Sequence, residues 1–130
     1  MEKDKYYKIL FLTGAIWNIF VAIACLFASL FMLDLVSVVF GIQPPLTLIW
    51  LHFFLGFIFI FGIGYFYISK NLEKNHLVVV MGVMEKYMVT IVALIFFLIS
   101  DIGLIGFLLC SVDFIFGCLY LEFLLYKRKS

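Results

Sequence analysis

The chain has 130 residues, of which 67% are hydrophobic and 13% charged, with a formal net charge of +1. A soluble domain is about 45–50% apolar and about 25% charged, so no soluble core in so short a chain could bury this much apolar surface; the solvent that suits it is lipid. The near-neutral balance excludes the electrostatic footprint of a nucleic-acid partner, and Cys25, Cys110 and Cys118, all within apolar runs and without CxxC or metal-ligand spacing, read as small hydrophobes.

The first element is an apolar run over 7–33, preceded by Lys3, Lys5 and Lys8. Together with Ala22-Ile23-Ala24-Cys25 this has the flavour of a secretory or lipoprotein signal. The run continues well past Cys25, however, whereas a signal's apolar region is only about 7–15 residues, so the segment reads as a retained membrane helix. Residues 34–43 are too apolar for an open loop, with Leu35, Val36, Val38, Val39 and Phe40. They read either as a short segment lying in the interface or as an extension of the first helix. Pro44-Pro45 cannot continue a helix and can open the next one.

A second run covers 46–69, followed by the one clearly hydrated loop, Lys70-Asn71-Leu72-Glu73-Lys74-Asn75-His76. A third covers 77–100 and a fourth 102–126. Ser100-Asp101 between them is a very short turn, with Asp101 as the expected N-cap of the last helix. Each run is near the ~20 residues a helix needs to cross hydrocarbon, and far longer than the ~9–11 of a barrel strand. The expected fold is therefore all-α: an integral membrane bundle of four antiparallel helices, one domain over 1–130, without internal repeat or linker.

Orientation follows from the cations. Lys3, Lys5 and Lys8 precede the first helix, Lys70 and Lys74 lie between the second and third, and Lys127, Arg128 and Lys129 follow the fourth. The other two connections carry no Lys or Arg. This one-sidedness predicts both termini in the cytoplasm, with Asp34 and Asp101 outside. Tyr6, Tyr7, Tyr65, Tyr67 and Tyr126 are expected to form an aromatic belt at the inner interface, and Trp50 to mark the outer one.

Ionisable and amide groups inside a membrane are costly and are the default site candidates. Here they are Asn18, His52, Glu85, Lys86, Asp113 and Glu122. At 1.5 Å per residue from the cytoplasmic end, Asn18 lies roughly 15 Å deep, Glu85 and Lys86 about 12 Å and Asp113 about 20 Å, so these four can share one level. Glu122 falls near the cytoplasmic edge and His52 toward the outside.

Helical spacing sets Asn18 in a stripe of small residues with Gly14, Ala22, Cys25 and Ser29; Lys86 with Gly82, Thr90 and Ala93; and Asp113 with Gly103, Gly106, Cys110 and Gly117. Small residues let membrane helices approach, and polar side chains there bond across helices. Lys86 and Asp113 are expected to pair. The pair either only fixes helix register or belongs to a ligand-binding set of Asn18, Glu85, Lys86 and Asp113, with His52 as an outlying member. Glu85 lies about 100° around the helix from Lys86, so the two should not face the same neighbour. His52 and His76 fall at opposite membrane sides and cannot both ligate one haem or metal ion. No metal and no cofactor is expected. Gly62-Ile63-Gly64-Tyr65 lacks the strand–turn–helix context of a phosphate-binding loop and reads as a close-packing or flexible point.

A first helix containing Trp17-Asn18, an apolar interfacial stretch ending in Gly41 and Pro44, and three further helices, the second with Gly62-Ile63-Gly64-Tyr65, together resemble DoxX-like small membrane proteins. The resemblance covers the whole chain as architecture and implies no catalytic residue. The small multidrug exporters require a membrane-embedded Glu in the first helix, where this chain has Asn18. The EXPERA sterol-isomerase and ligand-binding group uses several buried acids, which Glu85 and Asp113 could mimic, although its motifs do not align.

Three functions are compatible with these residues. One is a binding or accessory protein of the cell membrane, holding a lipid-like ligand in its polar cluster or contacting another membrane protein. A second is a proton-coupled carrier built on Glu85, Lys86 and Asp113, working as a homodimer because four helices are few for a pore. The third is a membrane enzyme acting on a lipid or quinone with Asp113 or Glu85 as acid or base. No Ser/His/Asp set, HExxH or paired-carboxylate motif is present, which favours the first. A cavity is expected at the level of Asn18, Glu85 and Asp113.

Overall fold

The computed structural model describes residues 2–129, and among them the structure is entirely helical. Its elements are α1 (Glu2–Phe31), α2 (Leu33–Phe40), α3 (Ile49–Lys70), α4 (His76–Leu98) and α5 (Leu104–Lys129). Among the described residues, α1, α3, α4 and α5 are long and apolar enough to cross a membrane.

The helix boundaries refine the expectations. α1 begins at Glu2, five residues before the apolar run, because Glu2 and Asp4 in its first turn complement the positive end of the helix dipole. Residues 34–43 do not extend α1. The backbone breaks at Met32 (φ −140°, ψ 31°), and α2 is a separate short helix. It stops at Gly41, whose left-handed φ of 63° turns the chain so that the Gly41 N–H bonds the Val38 carbonyl (3.3 Å) and the Ile42 N–H the Ser37 carbonyl (3.0 Å). Gly41 is also a point of contact: a Cβ there would stand 2.9 Å from the backbone of Gly103. That closeness lets the Gly103 N–H donate to the Phe40 carbonyl at 2.8 Å, tying the α4–α5 turn to the end of α2.

Two expectations about helix starts are corrected. Pro44-Pro45 do not open α3. They lie in the coil before it, and the helix starts at Ile49. Asp101 does not cap α5, because the turn reverses through Ser100 (φ 65°) and the helix starts only at Leu104, with Phe107 N–H bonding the Gly103 carbonyl. At the other turn, Asn71 Oδ1 accepts from the N–H groups of Glu73 (3.1 Å) and Lys74 (3.3 Å), an Asx turn that reverses the chain within a few residues.

The helices associate in two pairs. α1 packs mainly on α3 and α4 mainly on α5, with sparse contact between the pairs. What joins the pairs is a core at one end, where Tyr7, Phe11, Tyr65, Val79, Tyr120 and Phe123 are buried. Phe11 stacks on Tyr120 (4.7 Å) and meets Phe123 edge-on (5.1 Å). At the same end Lys127 reaches Asp4 (3.5 Å) and Glu73 (3.9 Å), and Tyr7 donates to Glu122 (3.0 Å). Toward the opposite end the buried side chains thin out to Ala22, Ser29, Ser37, Leu55 and Ala93. The outward faces are apolar throughout: Ile16, Phe20, Phe57 and Ile60 are each more than 60% exposed. A surface of this kind is at home in hydrocarbon rather than water.

Candidate functional site

Four helices converge on one buried ammonium. Lys86 on α4 is 1% exposed. Its Nζ donates to Asn18 Oδ1 of α1 at 2.6 Å and to Asp113 Oδ1 of α5 at 2.7 Å. Glu85 Oε2 stands 3.4 Å away, and the ring of Tyr65 on α3 lies 5.6 Å beneath the charge. An ammonium has three N–H donors, and three acceptors surround this one. A buried charge is tolerated only when paired and hydrogen-bonded in this manner.

The acceptors are themselves held. Asn18, 1% exposed, donates its Nδ2 to the Ile58 carbonyl of α3 at 3.3 Å, which turns its amide oxygen toward Lys86. Tyr65, fully buried, donates to Glu85 Oε2 at 3.0 Å. Two glycines make the approach possible. A Cβ on Gly117 would stand 3.2 Å from Lys86 Cβ, so α5 lies directly against the lysine stem. A Cβ on Gly82 would stand 2.7 Å from the Tyr65 ring, so α4 is open just where that ring inserts.

The structure thus brings together Asn18, Glu85, Lys86 and Asp113, and it places the expected Lys86–Asp113 contact across α4 and α5. Glu85 and Lys86 do have different outer partners, Tyr65 and Asp113. They nonetheless approach one another, because the long lysine side chain bends back beside its neighbour. His52 is not part of the cluster. Its Nε2 is 3.1 Å from Ser29 Oγ, which in turn donates to the Leu26 carbonyl at 2.8 Å. Ser29 lies eleven residues beyond Asn18 on α1, about 16 Å along the helix.

Tyr65 was missed as a site residue. A tyrosine near a helix end reads as an interface anchor, yet Tyr65 and Tyr7 are core residues; Tyr6 and Tyr67 do lie exposed. The available signal was Gly82, one turn before Lys86, which leaves room for an aromatic ring from a facing helix.

The helices close tightly around Lys86, and the space in the bundle lies one turn further toward the α4–α5 turn. A cavity of about 450 Å³ lies between α3 and α4, lined by Phe54 of α3, by Met88, Val92 and Phe96 of α4, by Asp101 of the α4–α5 turn and by Cys110 of α5. It is the gap left where the two helix pairs part. Val89, on its wall, is one turn from Lys86, and Cys110 is one turn from Asp113. The Asp113 side chain keeps 16% exposure. A smaller pocket of about 320 Å³ beside α2 includes Asp34, Ser37 and Gln43 and shares Ile42 with the larger one. Among the described residues no three His, Cys, Asp or Glu side chains stand together as metal ligands would.

Comparison of the chain with protein-family models, with curated proteins and with solved structures finds no match.

Proposed function

We propose that this chain is a small multi-pass protein of the cell membrane that binds a lipid-like molecule in the cleft between α3 and α4. In this reading the four long helices form an antiparallel bundle with both termini in the cytoplasm, as the one-sided lysines and arginines require. The architecture resembles that of the DoxX-like small membrane proteins. The apolar part of the ligand lies against Phe54, Met88 and Val92. Its polar head reaches Asp113, which accepts a hydrogen bond from it, while Lys86, itself bonded to Asn18, holds the carboxylate in place.

The observation that carries the reading is the cleft itself: an apolar-walled space of about 450 Å³ that ends one helical turn from a fully organised polar cluster. Its size is in the range of small-molecule sites, and in this reading the ligand enters it from the hydrocarbon. Mass spectrometry of lipids extracted from the protein purified in mild detergent tests it. One species enriched in wild type over Asp113→Asn is the expected result. An identical lipid profile in the two, with Asp113→Asn folded, counts against the cleft as a binding site.

A further inference from the structure

The Lys86 cluster carries unbalanced charge. Two carboxylates, Glu85 and Asp113, share the single ammonium of Lys86 at 3.4 and 2.7 Å. Every other Lys or Arg of the chain lies at 3, 5, 8, 70, 74 or 127–129, in the first two turns of α1, in the last turn of α3 or α5, or in the α3–α4 turn. What else faces the cluster is neutral: the Asn18 amide from α1, the Tyr65 hydroxyl from α3, and from α5 Tyr120 and, one turn on, Cys110. Tyr120 is fully buried and its hydroxyl has no partner among the described residues, although it lies within electrostatic range of both carboxylates. With Lys86 charged and both acids ionised, the cluster holds a formal charge of one negative unit. In a low-dielectric interior that surplus requires a companion, either a proton on one carboxyl or a second cation.

Asp113 is where a second cation would be received. It spends one oxygen on Lys86, retains 16% exposure, and lies one turn along α5 from Cys110, which lines the apolar cleft. All three donors of Lys86 face acceptors within the protein, so the cluster offers an incoming head group acceptors rather than donors. A head with a negative charge would meet surplus acid, and a neutral head would leave the proton in place.

We propose that the cleft takes lipophilic cations, an alkyl or aryl group bearing an ammonium, and that the cluster exchanges one proton for each cation bound. The cation enters from the membrane with its apolar part in the cleft and its charge beside Asp113. The proton leaves the Glu85 carboxyl for bulk water. Charge within the cluster is conserved, so binding strengthens as pH rises: fewer protons in solution compete for the carboxylates.

This inference rests on the cleft reading above, and the test separates the two. The full chain, purified in a neutral detergent, is titrated calorimetrically with dodecyltrimethylammonium, with dodecanol and with dodecyl sulfate, and proton release is followed with an indicator dye in weak buffer. The expected result is that the ammonium binds at least about tenfold more tightly than the alcohol. About one proton should be released per cation, and affinity should gain up to about tenfold per pH unit while that proton is held. Glu85→Gln, which removes the surplus charge without touching the cleft, should abolish the proton release. If the alcohol binds as well as the ammonium with no proton released, the cation inference is overturned and the cleft reading stands. If none of the three binds, both are overturned.

Discussion

Lys86 Nζ and Asp113 Oδ1 stand 2.7 Å apart across the contact of α4 with α5, with 1% of the lysine side chain exposed. Removing Lys86 leaves two buried carboxylates without a counter-ion, which costs about 3–5 kcal/mol, whereas removing the Asp113 charge leaves Lys86 paired with Glu85 at 3.4 Å. Lys86→Met should lower stability by that order and Asp113→Asn by less, while the double variant recovers part of the Lys86→Met loss. Unfolding curves in mild detergent measure it. A double variant no better than the worse single one means that the pair contributes no coupling.

Tyr120 and Gly14 give a second test of the core. The tyrosine hydroxyl is buried without a partner among the described residues, and a Cβ added at Gly14 would collide with it. Tyr120→Phe should therefore leave stability unchanged or raise it by up to about 1 kcal/mol, since an unsatisfied polar group is removed. Gly14→Ala should cost about 1–3 kcal/mol through overpacking, and adding Tyr120→Phe should restore most of that. Thermal unfolding of the three variants decides. A marked loss on Tyr120→Phe alone would show that the hydroxyl has a partner.

The long apolar helices and most of the polar cluster were legible in the sequence because both rest on short-range rules. Some twenty apolar residues in a row need a helix, and Asn18, Lys86 and Asp113 each lie in a small-residue stripe at helical spacing. What was not legible depends on how helices meet. Tyr65 has the position of an interface anchor and becomes a core residue only because Gly82 faces it. His52 could be excluded from the cluster only once its contact with Ser29 was known. The cavity lies one turn away from its expected level, since the parting of the two helix pairs is a tertiary property that no single helix encodes.

Orientation in the membrane has its own check. Single cysteines at Lys3, Lys74 and Lys129 should react with an impermeant maleimide only from the cytoplasmic side, and one at Gln43 only from outside. The basis is that Asp4, Glu73 and Lys127 gather at one end of the molecule while Gln43 belongs to the pocket beside α2. Labelling of position 74 from outside would reverse the orientation.

Filling the cleft should separate binding from folding. Ala93 is 7% exposed and lies on the cleft wall. Ala93→Phe places a ring in the open space, so the protein should remain folded and retain at least about tenfold less co-purifying lipid than wild type. Quantified lipid per mole of protein is the measurement. Unchanged retention would mean that the lipid sits elsewhere on the apolar surface.

The most direct measurement of the central claim is photo-crosslinking in the membrane with an alkyl amine that carries a diazirine on its chain, followed by peptide mapping. A ligand seated between α3 and α4 should place crosslinks on Phe54, Met88 and Val92, the walls of the cavity, and excess unlabelled alkyl amine should suppress them. Crosslinks spread evenly over outward-facing residues such as Ile16, Phe20 and Ile60, and insensitive to competitor, would contradict a binding site in the cleft.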